Sequence, residues 1–531
     1  MKKGILVITT SLCLMLTSIG CSDFGDLNVD PENITAESMD YTLLFTNVQV
    51  YTYGTEYDIW RNAAIYISSM IQHHASVDWS QGDKYTYSDS YNQAYWDRTY
   101  PNGILNAVTL IHQWKDNEEY QAEYNMVRIL RVILMQRMTD MYGDVPYSEA
   151  GLGYIEGIGK PKYDTQESIY MDMLNELKEA GEALASISSS KIGAKDIMYG
   201  GNTTQWRKLA YSLMVRVAMR LTKVAPDTAS IWVNTALSGG IFESNDDNCI
   251  VTHEGAVETT NAAEPYGKVY SHEDVTGWRL SNTFVNQLKN TGDPRLSLIG
   301  TVVGESLVST NQYSSENWEY GDTTAVVQLG MPNGRDVQGG DLDISKEPNY
   351  PGTADDGYLG LRYYSVPNRY TFARPDAPTL VVTYSTIQLL LAEAAYRGYI
   401  PGSAEEYYNE GVRAAIKQFT AYGVDIVTDA QINYYLSQNP YNASTALEQI
   451  NVQYWIATYC DEYEAFANWR RSGYPVLTPV NYIGNVTNGT IPRRFTYNTG
   501  EAVVNTENYL EAVHRLNNGD TMTSRVWWDA E

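Results

Sequence analysis

Residues Gln136 to Ala150 read QRMTDMYGDVPYSEA, the tail of an apolar helix running into a stiff turn. From Met126 to Met141, residues Met126, Val127, Ile129, Leu130, Val132, Ile133, Leu134, Met135 and Met138 cover almost the whole helical circumference. A helix apolar on nearly every side belongs in a core. Arg128, Arg131 and Arg137 interrupt that surface, and each is expected to lie along the helix with its head in water or to pair with a carboxylate. Gly143 stands where a helix needs a left-handed closing residue, and Pro146 prevents continuation.

Working outward, a chain of 531 residues can build a large core, and a length prior allows roughly two to four domains. Its 37 Lys and Arg face 64 Asp and Glu, a formal net charge of -27. Phosphate binding needs a basic face, so this balance argues against a nucleic-acid partner and favours a neutral or cationic ligand, or solubility alone. Tyr occurs 44 times against 8 Phe, beside 12 Trp, so the aromatic content is biased toward rings with a polar tip. Such rings suit surfaces that are both apolar and wet.

The first twenty residues are an export signal: Lys2 and Lys3 precede an apolar run, Ile5 to Leu16, that is short for a membrane span. The run ends Thr17-Ser18-Ile19-Gly20-Cys21, similar to a bacterial lipoprotein box, although Ser18 stands where that box usually has Leu. Lipidation of Cys21 would anchor the chain without spanning the membrane. The alternative is plain secretion with Cys21 as a small terminal residue. Signal cleavage would also remove Cys13, leaving Cys249 and Cys460, for which free buried thiols are expected rather than a disulfide framework.

Ser22 to Glu37 is poor in core residues and reads as an extended leader. A helix is expected over Tyr57 to Ala75, from Trp60, Ala63, Ala64, Ile67, Met70 and Ile71. Ser76 to Tyr100 turns polar and aromatic and is read in part as a surface loop. Asp164 with Glu167 predicts a capping box opening a helix through Leu184, and another helix is expected over Trp206 to Val224. From Gly239 to about Thr379 the composition shifts to Gly, Asn, Asp, Ser and Pro, predicting loops and small β-elements. Helices return at Tyr384; Ser403 with Glu406 predicts a further cap, and Ala446 to Arg471 reads as helical up to Gly473 and Pro475. Ala-rich helix pairs joined by short turns are the pattern of stacked helical repeats.

Catalytic signatures are weak. His73 and His74 are adjacent and would point to different sides of a helix, so they cannot share one ion. Gly153 to Pro161 misses the phosphate-loop spacing, and no nucleophile elbow is present. Two carboxylates suffice for glycoside hydrolysis, and Asp140 and Asp144 flank the opening turn. Their bland readings are an ion pair of Asp140 with Arg137 and acceptance of turn N–H groups by Asp144. The Asp341-Leu342-Asp343-Ile344-Ser345 run alternates oxygen ligands without the glycine of a calcium loop. No cofactor or metal is called for.

An exposed ring can stack on the C–H face of a sugar while neighbouring polar groups take its hydroxyls. Trp79, Tyr85 and Tyr87 from the first aromatic stretch, with Trp278, Trp318 and Tyr320 from the loop-rich one, are the candidate ligand set. Trp60, Trp96 and Trp206 lie in periodic segments and are expected in the core.

The signal with Cys21 and the run Arg137-Met138-Thr139-Asp140-Met141-Tyr142-Gly143-Asp144-Val145-Pro146-Tyr147 resemble the SusD/RagB family of nutrient-binding outer-membrane lipoproteins. Pro161-Lys162-Tyr163-Asp164, Asp293-Pro294-Arg295, Leu391-Ala392-Glu393-Ala394-Ala395, Ile491-Pro492-Arg493-Arg494-Phe495 and Val526-Trp527-Trp528 agree with it. The resemblance implies a mainly α chain with four tetratricopeptide-like helix pairs and a loop-rich ligand-binding lobe. It implies residues 21–531 as a single SusD-like domain, with helical scaffold about 40–238 and 380–475 and the lobe about 239–379. It further implies no catalysis, a lipid-anchored place at the outer-membrane surface, and delivery of oligosaccharides or other nutrients to a SusC-like TonB-dependent transporter. Family ligand residues are not fixed by motif, so only Cys21 carries over. A surface hydrolase using Asp140 and Asp144, and a helical-repeat scaffold binding only protein, stand as alternatives.

Overall fold

A computed structural model describes residues 39–256, 262–273, 277–303 and 321–531. The chain divides into two units, Met1–Leu43, of which only residues 39–43 are described, and Leu44–Glu531.

The opening helix spans Gln121–Tyr142 and buries residues around its circumference, with Val127, Leu130 and Leu134 wholly covered. It stops at Gly143, whose φ of 89° only glycine adopts without strain, and whose N–H donates to the Thr139 carbonyl at 2.8 Å. Beyond the turn, Val145–Pro146 pairs antiparallel with Tyr163–Asp164. The three interrupting arginines find partners. Arg128 pairs with Glu176 at 2.9 Å, Arg137 with Asp461 at 3.2 Å, and Arg131 lies 4.3 Å over the Tyr147 ring and donates to the Tyr147 carbonyl.

Four consecutive helix pairs make the scaffold: Leu105–Trp114 with Gln121–Tyr142, Gln166–Leu184 with Thr203–Met219, Tyr384–Tyr396 with Ala404–Lys417, and Ala446–Ala457 with Glu462–Ser472. Apolar faces pack within and between pairs, and buried ion pairs tie the pairs together. Arg471 donates to both oxygens of Glu393, at 2.6 and 2.7 Å, joining the last pair to the third. Arg220 reaches Glu464 at 2.6 Å and Asp140 at 3.3 Å, joining the second pair to the first and last.

Several local expectations are corrected. Thr165, not Asp164, caps the Gln166–Leu184 helix, through the Ser168 N–H; Asp164 instead accepts from the Ser148 N–H at 2.8 Å. Adjacent oxygen-bearing side chains compete for one cap, and the strand at Tyr163–Asp164 takes Asp164 out of the contest. The helix expected over Tyr57 to Ala75 is a π-helix, Ile59–Ile67, flanked by single α-turns, and it ends at Met70. The stretch Ala446 to Arg471 breaks at Thr458–Asp461, where Cys460 has φ 67°. Ser76 to Tyr100 folds largely into short helices, Gln81–Lys84, Asp89–Asn92 and Ala94–Arg98.

Between Gly239 and Thr379 lie short strands and an unanticipated helix, Asn282–Thr291. The strands return to the scaffold: Cys249–Val251 pairs with Thr379–Val382, and Arg279–Leu280 pairs with His74–Ala75. This second pairing brings residues near 280 against the segment that begins at Gln72.

Candidate ligand-binding site

The site is built on the segment from Gln72 to Tyr91, laid over the Ile59–Ile67 π-helix. Gly82 makes the close approach: a Cβ there would lie 2.1 Å from the Tyr66 carbonyl oxygen and 2.6 Å from that of Ile65. With no side chain between them, the Gln81–Lys84 turn rests on the π-helix backbone. Asp83 then fastens the turn to the loop after Pro332, accepting from the Gly334 N–H at 2.6 Å and from the Asn333 amide. Burial pushes the Asp83 carboxyl up to about 7, against the pull of those donors.

This seating brings Trp79 against Trp60, ring centroids 5.3 Å apart at 74°, an edge-to-face contact. Both rings are half-buried, so Trp60 is not the core residue that its periodic segment predicts. Arg61 extends the platform, its guanidinium 4.9 Å from the Trp60 centroid and 3.8 Å from that of Tyr57. Arg98 stands 4.2 Å over the same Tyr57 ring. Trp96 and Trp206 are buried as expected.

Two of the predicted ligand residues serve as structure instead. Trp278 is 2% exposed and donates its indole N–H to the Ala64 carbonyl at 3.1 Å, a floor beneath the π-helix. The same carbonyl also accepts from the Ser68 hydroxyl at 2.7 Å, so the indole is an additional donor to it. Tyr85 is 1% exposed, with φ 54°. Its hydroxyl accepts from the Val480 N–H at 3.1 Å and its carbonyl from the Val486 N–H at 2.9 Å, so it holds both ends of the loop between them. Neither ring offers a face to a ligand. Tyr87 is 42% exposed and donates to Asp89 at 2.9 Å. Trp318, Tyr320 and Cys21 lie outside the described residues.

Two clefts open on either side of that loop. One, about 390 Å³, is lined by the amides and hydroxyls of Gln72, Asn282, Thr283, Asn333 and Asn481, with the guanidinium of Arg335 beside them. Gln72 spans it, accepting from the Thr283 hydroxyl at 2.7 Å and donating to the Thr478 carbonyl at 2.6 Å. The other, about 460 Å³, has Tyr87, Tyr497 and Tyr509 among its walls. The amide-lined cleft was missed from sequence because its residues come from four distant segments and each looks like an ordinary loop residue. They are collected by the pairing of His74–Ala75 with Arg279–Leu280 and by the long-range bonds of Asp83 to Gly334, Gln72 to Thr478 and Tyr85 to Val480.

The carboxylates once open to a catalytic reading are engaged in the scaffold. Asp140 accepts from the Trp528 indole at 2.9 Å and from the Tyr170 hydroxyl, and faces Arg220 rather than the expected Arg137. Burial raises its pKa, opposed chiefly by Arg220. Asp144 accepts from the Gln166 N–H at 2.8 Å and pairs with Arg515. Asp343 accepts from the Ser345 and Gly339 N–H groups and the Tyr358 hydroxyl. His73 bonds Glu462 and the Trp455 carbonyl, while His74 bonds Tyr459. No group of His, Cys, Asp and Glu among the described residues could hold a metal ion. Cys249 and Cys460 are free thiols, the first buried.

Three of the quoted motifs, Arg137–Tyr147, Ile491–Phe495 and Val526–Trp528, converge on one place. The Phe495 N–H donates to the Met141 carbonyl, Arg494 to that of Tyr142, and Trp528 to Asp140, so the C-terminal tail closes over the end of the opening helix. A family model described as "Starch-binding associating with outer membrane", SusD-like, matches residues 31–498. The chain belongs to the SusD-like family. Its helix pairs are the tetratricopeptide-like scaffold of that fold. A solved chitin-binding protein is 32% identical, with a TM-score of 0.79, covering 93% of this chain and 100% of its own. A Bacteroidetes SusD-like protein, AC2a, is 26% identical with the same TM-score and coverages. A SusD homologue from Bacteroides ovatus, 22% identical over 93% of this chain and 100% of its own, has the same fold at a TM-score of 0.74. No curated protein matches. SusD-like proteins bind carbohydrate and associate with the outer membrane. No helix among the described residues is long and apolar enough to cross a membrane.

Proposed function

We propose that this chain is a non-catalytic glycan-binding protein of the cell surface, held by a lipid on Cys21 and handing oligosaccharides to a SusC-like TonB-dependent transporter. One observation carries the reading: Trp79, half-exposed and braced edge-on by Trp60, sits on the same segment whose Gln72 end walls the amide-lined cleft. An indole face takes the apolar side of a sugar ring, and amides take its hydroxyls as donors or acceptors. The chitin-binding relative makes chitin oligosaccharides the first ligands to try, since their N-acetyl groups add an amide that Asn and Gln side chains can match.

Isothermal titration with chitin and starch oligosaccharides tests it. Wild-type protein should bind one class, and Trp79→Ala should weaken that binding at least tenfold, about 1.4 kcal/mol. Trp318→Ala belongs in the same series. Unchanged affinity in both variants would remove the proposed site. Steady release of reducing ends by the purified protein, lost in Asp144→Asn with folding intact, would replace binding by hydrolysis.

A further inference from the structure

The second cleft, on the far side of the loop held by Tyr85, has no part in the site above. Its walls are Tyr87, Val486, Tyr497, Ala502, Tyr509 and Met522, with Thr496, Thr499, Asp520 and Thr521 among them. At about 460 Å³ it falls in the roughly 300–1,000 Å³ range of small-ligand sites, and it has their composition, mostly apolar and aromatic with a few polar groups. Tyr509 is braced by Tyr497, ring centroids 6.0 Å apart at 77°, the same edge-to-face arrangement that supports Trp79. Asp520 supplies acceptors beside these rings: one oxygen accepts from Arg494 at 2.6 Å and the Tyr497 N–H at 3.1 Å, the other from the Tyr509 hydroxyl at 3.2 Å.

We infer that this tyrosine cleft is a second saccharide-binding site, separate from the one at Trp79. The charge decides the ligand class. Arg494 neutralises Asp520, and the Asp89 carboxylate, held by the Tyr87 and Thr499 hydroxyls at 2.9 and 3.1 Å, turns away a carboxylate or a phosphate. What remains is an acceptor oxygen with a spare lone pair, threonine hydroxyls, and a ring face, the groups that hold a neutral polyol with one apolar side. The two clefts share a wall, since Val480 lines one and Val486 the other, and Tyr85 fixes both, accepting from the Val480 N–H with its hydroxyl and from the Val486 N–H with its carbonyl. A chain passing over the loop could occupy both.

The inference rests on the glycan-binding reading, and its test separates the two. A short oligosaccharide of the class that binds wild type, too short to bridge the clefts, is titrated calorimetrically against wild type, Ala502→Trp, Tyr509→Ala and Trp79→Ala. Ala502 is exposed on the helix Glu501–Val504, so an indole there fills the cleft from its rim without entering the core. Two molecules are expected per wild-type chain, and one in Ala502→Trp and in Tyr509→Ala, each melting like wild type. Trp79→Ala should also retain one, bound at the tyrosine cleft. One molecule per wild-type chain, unaffected by Ala502→Trp and Tyr509→Ala but lost in Trp79→Ala, overturns the second site and leaves the first. No binding of any glycan by wild type overturns both.

Discussion

Glu393 and Asp83 are both fully buried carboxylates, and their surroundings push them in opposite directions. Burial alone would raise the Glu393 carboxyl, but Arg471 and Arg397 more than offset it and hold it at about 2. A folded value below the unfolded one gives stability that is present above about pH 4.3 and is lost as pH falls through 2. Glu393→Gln should cost roughly 3–5 kcal/mol in chemical denaturation, because Arg471 is left buried without its partner. Replacing both residues by apolar side chains should recover much of that loss, which a purely volumetric account would not anticipate. Asp83, raised to about 7 by burial, works the other way: its contribution is full below about pH 3.9 and is lost as pH rises through 7. The unfolding free energy of wild type relative to Asp83→Asn, from chemical denaturation, should therefore be higher at pH 5 than at pH 8, by at most roughly 3 kcal/mol. A difference independent of pH would mean that Asp83 titrates as an ordinary carboxylate.

The π-helix and the turn upon it decide where Trp79 stands, and Gly82 is where the turn lies directly against the π-helix main chain. A methyl group at Gly82 meets main chain, which cannot swing aside as a side chain could. Gly82→Ala should cost about 1–3 kcal/mol, shift the near-ultraviolet circular dichroism of the Trp60–Trp79 pair, and weaken glycan binding with it. Native-like spectra and affinity would show that the turn tolerates a lift of about an ångström. Signals of this kind divide what the sequence made legible from what it did not. The Gln121–Tyr142 helix, its Gly143 stop and the Ser403 cap are local, set by residues within one or two turns of each other, and they read correctly. Thr165 and Asp164 are neighbours with similar oxygens, and what separates them is the pairing of Tyr163–Asp164 with Val145–Pro146, which no local period announces. Trp278 and Tyr85 sit in polar surroundings along the sequence yet are buried, because their partners, Ala64 and Val480, are 214 and 395 residues away. Trp60 reads as core for the converse reason: a helical period shows which residues share a face but not whether a neighbour covers it. The amide-lined cleft has no local signature at all.

At the scale of the whole molecule, the acidic balance and the proposed N-terminal signal bear on where the protein works. A net charge of -27 keeps the chain soluble and gives no attraction to anionic surfaces, so adhesion to a membrane needs a specific device. The proposed lipid on Cys21 is that device, and a lipid at the chain end holds a protein near the membrane while leaving it free to move. Twenty residues, the number from Cys21 to Asp40, reach at most roughly 70 Å when fully extended, which bounds how far from the membrane the proposed anchor could hold the body. Contact with the proposed transporter is expected to add a second hold on the membrane. In cells with an outer membrane, wild type should partition into the detergent phase and co-purify with a β-barrel transporter, whereas Cys21→Ser should appear in the soluble fraction. The purified Cys21→Ser protein should bind glycan as wild type does, because the site lies in the folded body. Cys21→Ser held in the membrane at wild-type level in cells lacking the transporter would refute the lipid anchor; its retention only where the transporter is present would assign the second contact to the barrel.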